Sequence, residues 1–145
     1  MPGGENVSSR FRILEHPSDL GIEAYGDTLA MAFEGCALGL VSIFIDPSSV
    51  SGRDIRHISL SAQDVDQLLV KWLEEILYLY DGTGFVVKEP VVEELTPTGL
   101  RAVLRGEAFK AGLHVTRLDV KAITYHQLSV REVQGGFVVT AYLDI

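Results

Sequence analysis

Residues 118–130, LDVKAITYHQLSV, and residues 137–145, FVVTAYLDI, flank the segment REVQGG at 131–136. Both flanks alternate in character, and Gln134-Gly135-Gly136 supplies turn chemistry between them, so the stretch is expected to form a β-hairpin. The sequence closes on Leu143-Asp144-Ile145, inside the second strand. A strand there would tie the terminus down. It would also fix an α-carboxylate one residue from an aspartate, and two anions held that close point to a bound cation. With a symmetric turn near Gly135-Gly136, Asp144 falls opposite Gln127, beside His126. Lys121 would then lie about 20 Å further along an unbent strand, a separation that a bulge or change of register would shorten.

Upstream, Leu100, Ala102 and Leu104 alternate with Arg101, Val103 and Arg105, after a turn at Thr96-Pro97-Thr98-Gly99. With Phe85–Leu95, a β-rich run broken at Pro90, this reads as another hairpin. Two helical patterns precede it. Leu29, Phe33, Ala37, Leu40 and Phe44 form one apolar stripe, opened by Gly26-Asp27-Thr28 and closed by Asp46-Pro47. Gly35 and Gly39 weaken that helix and would let it pack closely on a sheet. The second helix starts at Asp64, and its apolar residues from Val65 to Tyr80 are too widely spread for one stripe, so burial on two sides is expected. Phe11–Glu15, Leu20–Ala24 and Arg53–Leu60 read as strands. The order is strand, strand, helix, strand, helix, then four strands. This implies an α+β fold, with two helices packed on a largely antiparallel sheet in two layers. Residues 1–10 are expected to be a flexible segment and residues 11–145 a single domain.

The chain has 145 residues, 47% hydrophobic and 22% charged, with a net charge of −8, which fits one domain with a real core. An acidic surface repels phosphates, so direct tight nucleic-acid binding is not expected. One cysteine, Cys36, excludes an internal disulfide and a cysteine-built metal site, and its apolar surroundings mark it as a buried small residue. The sequence holds neither a run long enough to cross a membrane nor the pattern of a signal peptide, so a cytoplasmic protein is expected.

The sequence contains no phosphate loop, GxSxG or HExxH motif. Glu74-Glu75 read as solvated helix charges, His57 as an ordinary strand residue, and Asp64 and Asp66 as helix-start residues. Asp19 follows His16-Pro17-Ser18 at a strand break, where a loop could aim it at a site or where it could form an Asx-type turn. Asp144 likewise is either a ligand or a solvated terminal residue.

His16-Pro17-Ser18-Asp19, residues 68–75 (LLVKWLEE), residues 120–126 (VKAITYH) and the closing Leu143-Asp144-Ile145 together resemble the archease family. The match is collinear and covers nearly the whole chain beyond the first ten residues. The family usually has His-Thr-Ala-Asp where this chain has Pro17-Ser18 in the middle pair. The resemblance implies a protein cofactor of the tRNA-splicing RNA ligase, which joins a 3′-phosphate or 2′,3′-cyclic phosphate RNA end to a 5′-hydroxyl using GTP. An archease promotes the ligase's guanylylation and multiple turnover, and can widen its nucleotide choice; it is not itself an enzyme. The resemblance also implies a divalent-cation site with Asp19, Asp144 and the terminal Ile145 as ligands. Calcium is the first expectation, with magnesium or manganese as alternatives. Lys121, in the family's signature block, is expected to matter without being a ligand, either reaching the site from another direction or contacting the ligase.

The chemistry of those residues agrees. Carboxylates are hard oxygen ligands suited to calcium, magnesium or manganese rather than zinc. Two like charges near 4 Å apart repel by about 4 kcal/mol at an effective dielectric of 20, which a cation removes. Ile145 would have to be the true terminus, since any further residue turns its carboxylate into an amide. Two other functions use the same residues differently. One is a stand-alone metal-dependent hydrolase of small phosphorylated compounds, with His126 or His16 as base. The other is a small-molecule-binding module.

Overall fold

A computed structural model of the protein describes residues 10–15 and 19–145. The expected flexible segment 1–10 therefore lies, apart from Arg10, outside the described residues, as do His16, Pro17 and Ser18. The elements are β1 (Phe11–Glu15), β2 (Asp19–Gly26), α1 (Leu29–Phe44), β3 (Asp54–Ser61), α2 (Val65–Thr83), β4 (Phe85–Thr96), β5 (Gly99–Ala108), β6 (Ala122–Val133) and β7 (Gly136–Asp144). A short 3₁₀ turn, Pro47–Ser49, follows α1.

Both helices start as their sequences require. The Thr28 hydroxyl accepts the Met31 amide (3.1 Å) and opens α1, and the Asp64 carboxylate accepts the Gln67 amide (2.8 Å) and opens α2. Helix α2 closes on Gly84 in the left-handed conformation, φ 73°. Ten of the sixteen residues of α1 are buried, over more than half its circumference, so it packs against more than one surface. On one side, a Cβ at Gly39 would stand 2.6 Å from Ile22 Cγ2, so only glycine lets α1 settle this deeply on β2. On another, Trp72 of α2 is fully buried and donates its indole N–H to the Phe33 carbonyl of α1 at 2.8 Å.

The α+β class is borne out, with two helices on antiparallel β-structure, but the single expected sheet is two. One has the order β1-β2-β7-β6 and the other β3-β5-β4, and every pairing is antiparallel. Ile22, Ala24, Val139, Ala141 and Leu143 of the first and Leu100, Ala102 and Leu104 of the second enter one buried cluster with the helices. Each fully buried aliphatic side chain contributes about 1.5–3 kcal/mol relative to exposure. Strand β4 is not broken at Pro90. It runs through the proline and shifts register at Val87/Glu89 and Val92/Glu94 instead. Pro90 is tolerated because β4 is an edge strand, where a missing N–H costs no ladder bond.

The segment between β5 and β6 is a pinned connector. The Nδ1 of buried His114 accepts the Lys110 amide (2.8 Å), which leaves Nε2 to donate to Glu107 (2.7 Å). Further on, the Asp46 amide bonds the Val115 carbonyl (2.8 Å), and the amides of Arg117 and Leu118 bond the Phe44 and Ile43 carbonyls (2.9 and 3.0 Å). Leu118 to Lys121, expected to begin a strand, belongs to this connector: the Leu118 amide goes to the Ile43 carbonyl of α1, and only at Lys121, whose amide goes to the Asp144 carbonyl, does the chain reach β7.

Replacing Trp72 by Ala removes the largest fully buried side chain and its bond across the helices. It is expected to cost about 3–5 kcal/mol in denaturant-induced unfolding. The Glu107 carboxyl is held down to about 2, from 4.5, by the hydrogen bond from His114 and then by the Ser51 amide and hydroxyl. Since its folded pKa is the lower one, its contribution is complete above pH 4.5 and is lost as pH falls toward 2. Glu107→Gln is expected to flatten that part of the stability–pH curve, read by thermal melts across the acid range.

Candidate functional site

Strand β7 lies between β2 and β6, and its far end brings distant segments together. Asp19, the first residue of β2, pairs directly with Asp144, the last of β7, and Leu20 pairs with Leu143. Residues directly opposite in an antiparallel ladder share a face, with Cβ atoms about 4.5–5.5 Å apart. Leu20, Ile22, Leu143 and Ala141 point toward the core, so the two aspartates lie on the other, outer face. Asp144 is exposed, whereas Asp19 is half-buried and its Oδ1 is covered.

On the other side of β7, Asp144 pairs with Ala122 rather than Gln127, and the Lys121 N–H donates to the Asp144 carbonyl at 2.8 Å. The expected 20 Å separation of Lys121 is therefore corrected to adjacency. The cause is a large bulge. Between the pairs Thr124↔Tyr142 and Ser129↔Thr140, β6 has four residues, 125–128, where β7 has only Ala141. Those three extra residues slide the start of β6 along β7. Gln127 takes a left-handed conformation, φ 53°, to make the detour. Thr124 closes its base: its hydroxyl donates to the Tyr142 carbonyl (3.1 Å) and accepts the His126 amide (3.2 Å). Tyr125, His126 and Gln127 are consequently exposed on the bulge.

Tyr142 and Gly21 form the floor of this region, and no motif pointed to either. A Cβ at Gly21 would stand 2.7 Å from Tyr142 Cε2, so the phenol ring lies over the glycine. The His126 ring meets the same phenol edge-on at 6.2 Å between centroids. The signal was parity: counting by twos from Asp144 gives Tyr142, and from Asp19 gives Gly21, on one face.

Ile145 follows Asp144 directly and is exposed. Asp19, Asp144, Ile145 and Lys121 thus converge at one strand end, while His16 lies outside the described residues. Among the described residues, no group of three or more His, Cys, Asp or Glu side chains is arranged to hold a metal ion. What this end of the sheet offers is two facing carboxylates, Asp19 and Asp144. That donor set fits a hard divalent cation. The groove between β1 and β4, about 710 Å³ and lined by Phe11, Glu34, Leu38, Lys88 and Pro90, holds none of these residues.

Residues 11–145 match the model of the Archease protein family. The chain belongs to the archease family. It is 40% identical over 136 residues to the Protein archease of Saccharolobus islandicus (strain M.14.25 / Kamchatka #1), covering 93% of this chain and 98% of that one. To the Protein archease of Methanosarcina acetivorans it is 34% identical over 140 residues, covering 94% and 96%. The solution structure of Methanobacterium thermoautotrophicum protein 1598 superposes with a TM-score of 0.79 at 28% identity, covering 94% of this chain and 99% of that one. A crystal structure described as an archease, possible chaperone, from Thermotoga maritima shares the fold with a TM-score of 0.60 at 14% identity, covering 92% and 96%. No helix among the described residues is long and apolar enough to cross a membrane.

Two like charges directly opposite destabilise a ladder. In metal-free buffer Asp144→Asn is therefore expected to stabilise the fold by about 0.2–1 kcal/mol, an effect that shrinks as salt is added. Destabilisation by that substitution under those conditions would contradict the facing geometry.

Proposed function

We propose that the protein is an activator of the tRNA-splicing RNA ligase, promoting the ligase's guanylylation and repeated turnover rather than catalysing a reaction itself. The observation that carries this reading is the Asp19–Asp144 register, with the Lys121 amide on the Asp144 carbonyl. Three of the sequence blocks that resemble the family are far apart in the chain, and they meet within one residue of each other. The description of the Thermotoga maritima relative as a possible chaperone also favours action on another protein.

In this reading Asp19, Asp144 and the Ile145 carboxylate would hold a divalent cation, calcium by preference, with magnesium or manganese as alternatives. Such a cation, when bound, would offset negative charge on phosphoryl groups. The chain's own residues do the rest. The ladder fixes the two carboxylates on one face, Tyr142 over Gly21 fills the floor beside them, and the bulge exposes Tyr125 and His126 at the rim. Lys121 stands where a partner's surface would meet both the rim and the carboxylates. The net charge of −8 suits docking on the basic surface with which a ligase grips RNA.

The test is guanylylation of the cognate ligase with GTP and divalent metal, with this protein present in substoichiometric amounts. Many turnovers per molecule are expected. Asp19→Ala, Asp144→Ala or an extension past Ile145 is expected to lower the stimulation at least about tenfold, the loss of a charge-assisted contact. Full stimulation by Asp19→Ala would end the proposal.

A further inference from the structure

Between Ala32 and Val41, every residue of α1 is buried except Glu34 and Leu38. The two stand one turn apart on one side of the helix. They form the floor of the groove between β1 and β4, about 710 Å³ in volume. Phe11 of β1 makes one wall, and Pro90 and Val91 of β4 make the other. A concave site of that size, apolar with a few polar groups, suits a small organic ligand.

The acids along the groove are already engaged. Glu34 accepts the Val92 amide at 2.8 Å through one oxygen and meets the Arg10 guanidinium at 3.4 Å through the other. Glu89 lies 3.8 Å from Arg105. Lys88 differs. Its half-buried ammonium donates to the Pro47 carbonyl at 2.7 Å, and among the described residues no carboxylate stands within ion-pair distance of it. Asp46, close enough to feel that charge, is held by the Ser48 hydroxyl (2.9 Å) and by Arg117 (3.5 Å). An ammonium carries three donors, so Lys88 has donors to spare, and so has the loosely paired guanidinium of Arg10. A partly desolvated cation beside apolar walls is stabilised by an anion seated against it.

We infer that this groove binds a small amphiphilic anion: a carboxylate, sulfonate or phosphate head on an apolar body. The head sits against Lys88 and Arg10, and the body lies over Leu38 between Phe11 and the Pro90-Val91 wall. Charge selects this occupant, since the free donors are cationic and the carboxylates nearby are taken. An extended peptide fits less well. Pro90 has no N–H and the Val92 amide belongs to Glu34, so β4 offers little of the ladder that strand addition needs. The groove is separate from the strand end that carries Asp19 and Asp144, and its ligand does not depend on the reading of the protein as a ligase activator.

The experiment is an amide-resolved NMR titration of the full chain with octanoate, with naphthalenesulfonate and with octanol, the neutral counterpart of the first. Both anions are expected to shift the amides of Phe11, Glu34, Leu38 and Val91, and whichever binds more tightly identifies the body as chain or ring. Octanol is expected to bind at least about tenfold more weakly than octanoate, the loss of a charge-assisted contact; this comparison needs no variant. Lys88→Met keeps the stem and removes the charge. It is expected to weaken both anions at least about tenfold, while Lys110→Met, at an exposed lysine outside the groove, leaves them within about twofold. Leu38→Trp fills the floor and is expected to block all three ligands. Absence of shifts at the groove up to millimolar ligand would overturn the site. So would octanol binding as tightly as octanoate, or shifts centred instead on the cleft lined by Leu29, Val130 and Phe137.

Discussion

One helix, α1, is buried between two sheets that are not paired to each other among the described residues. Apolar contact with α1 and α2 is what joins the halves, since both sheets contribute to the same buried cluster. That arrangement constrains the helix sequence tightly. Gly39 is needed where β2 presses in, and Phe33 must present its carbonyl to Trp72 while its ring fills the core. Each sheet then keeps one face for solvent. The carboxylate pair belongs to the free face of the first sheet, and the exposed isoleucine of β3 to that of the second.

The elements legible in the sequence were those set by local chemistry. Thr28 and Asp64 cap where their side chains can reach the third amide on, and the apolar residues of both helical patterns enter the core, although α1 is buried over a wider arc than the single stripe expected of it. The division into two sheets was not legible, because hairpins alternate in the same way whichever sheet they join. Pro90 shows the limit of a local rule: proline breaks a central strand but is neutral at an edge, and edge position is a property of the whole fold.

For the candidate site, the residues were legible and their spacing was not. Two aspartates and Lys121 could be named from the sequence, but their juxtaposition depends on the bulge in β6. That bulge turns at Gln127, a non-glycine in the left-handed region, with no glycine or asparagine to announce it. Gly21 and Tyr142 escaped notice for a related reason. Each is ordinary alone, and they matter because the β2–β7 register stacks one on the other.

That register also orders events during synthesis. The centre of the first sheet is filled by β7, the last strand of the seven to leave the ribosome, while β1 and β2 are the first. Strand β2 must wait through more than a hundred residues for β7, with one edge open and only β1 and α1 near at hand in the chain to cover it. Contacts of such long sequence separation slow folding and prolong exposure of apolar surface. The three-stranded sheet closes through neighbouring segments and can form early around the helices. The facing carboxylates come into being only with the final strand, so the site is present only in chains that have completed their fold.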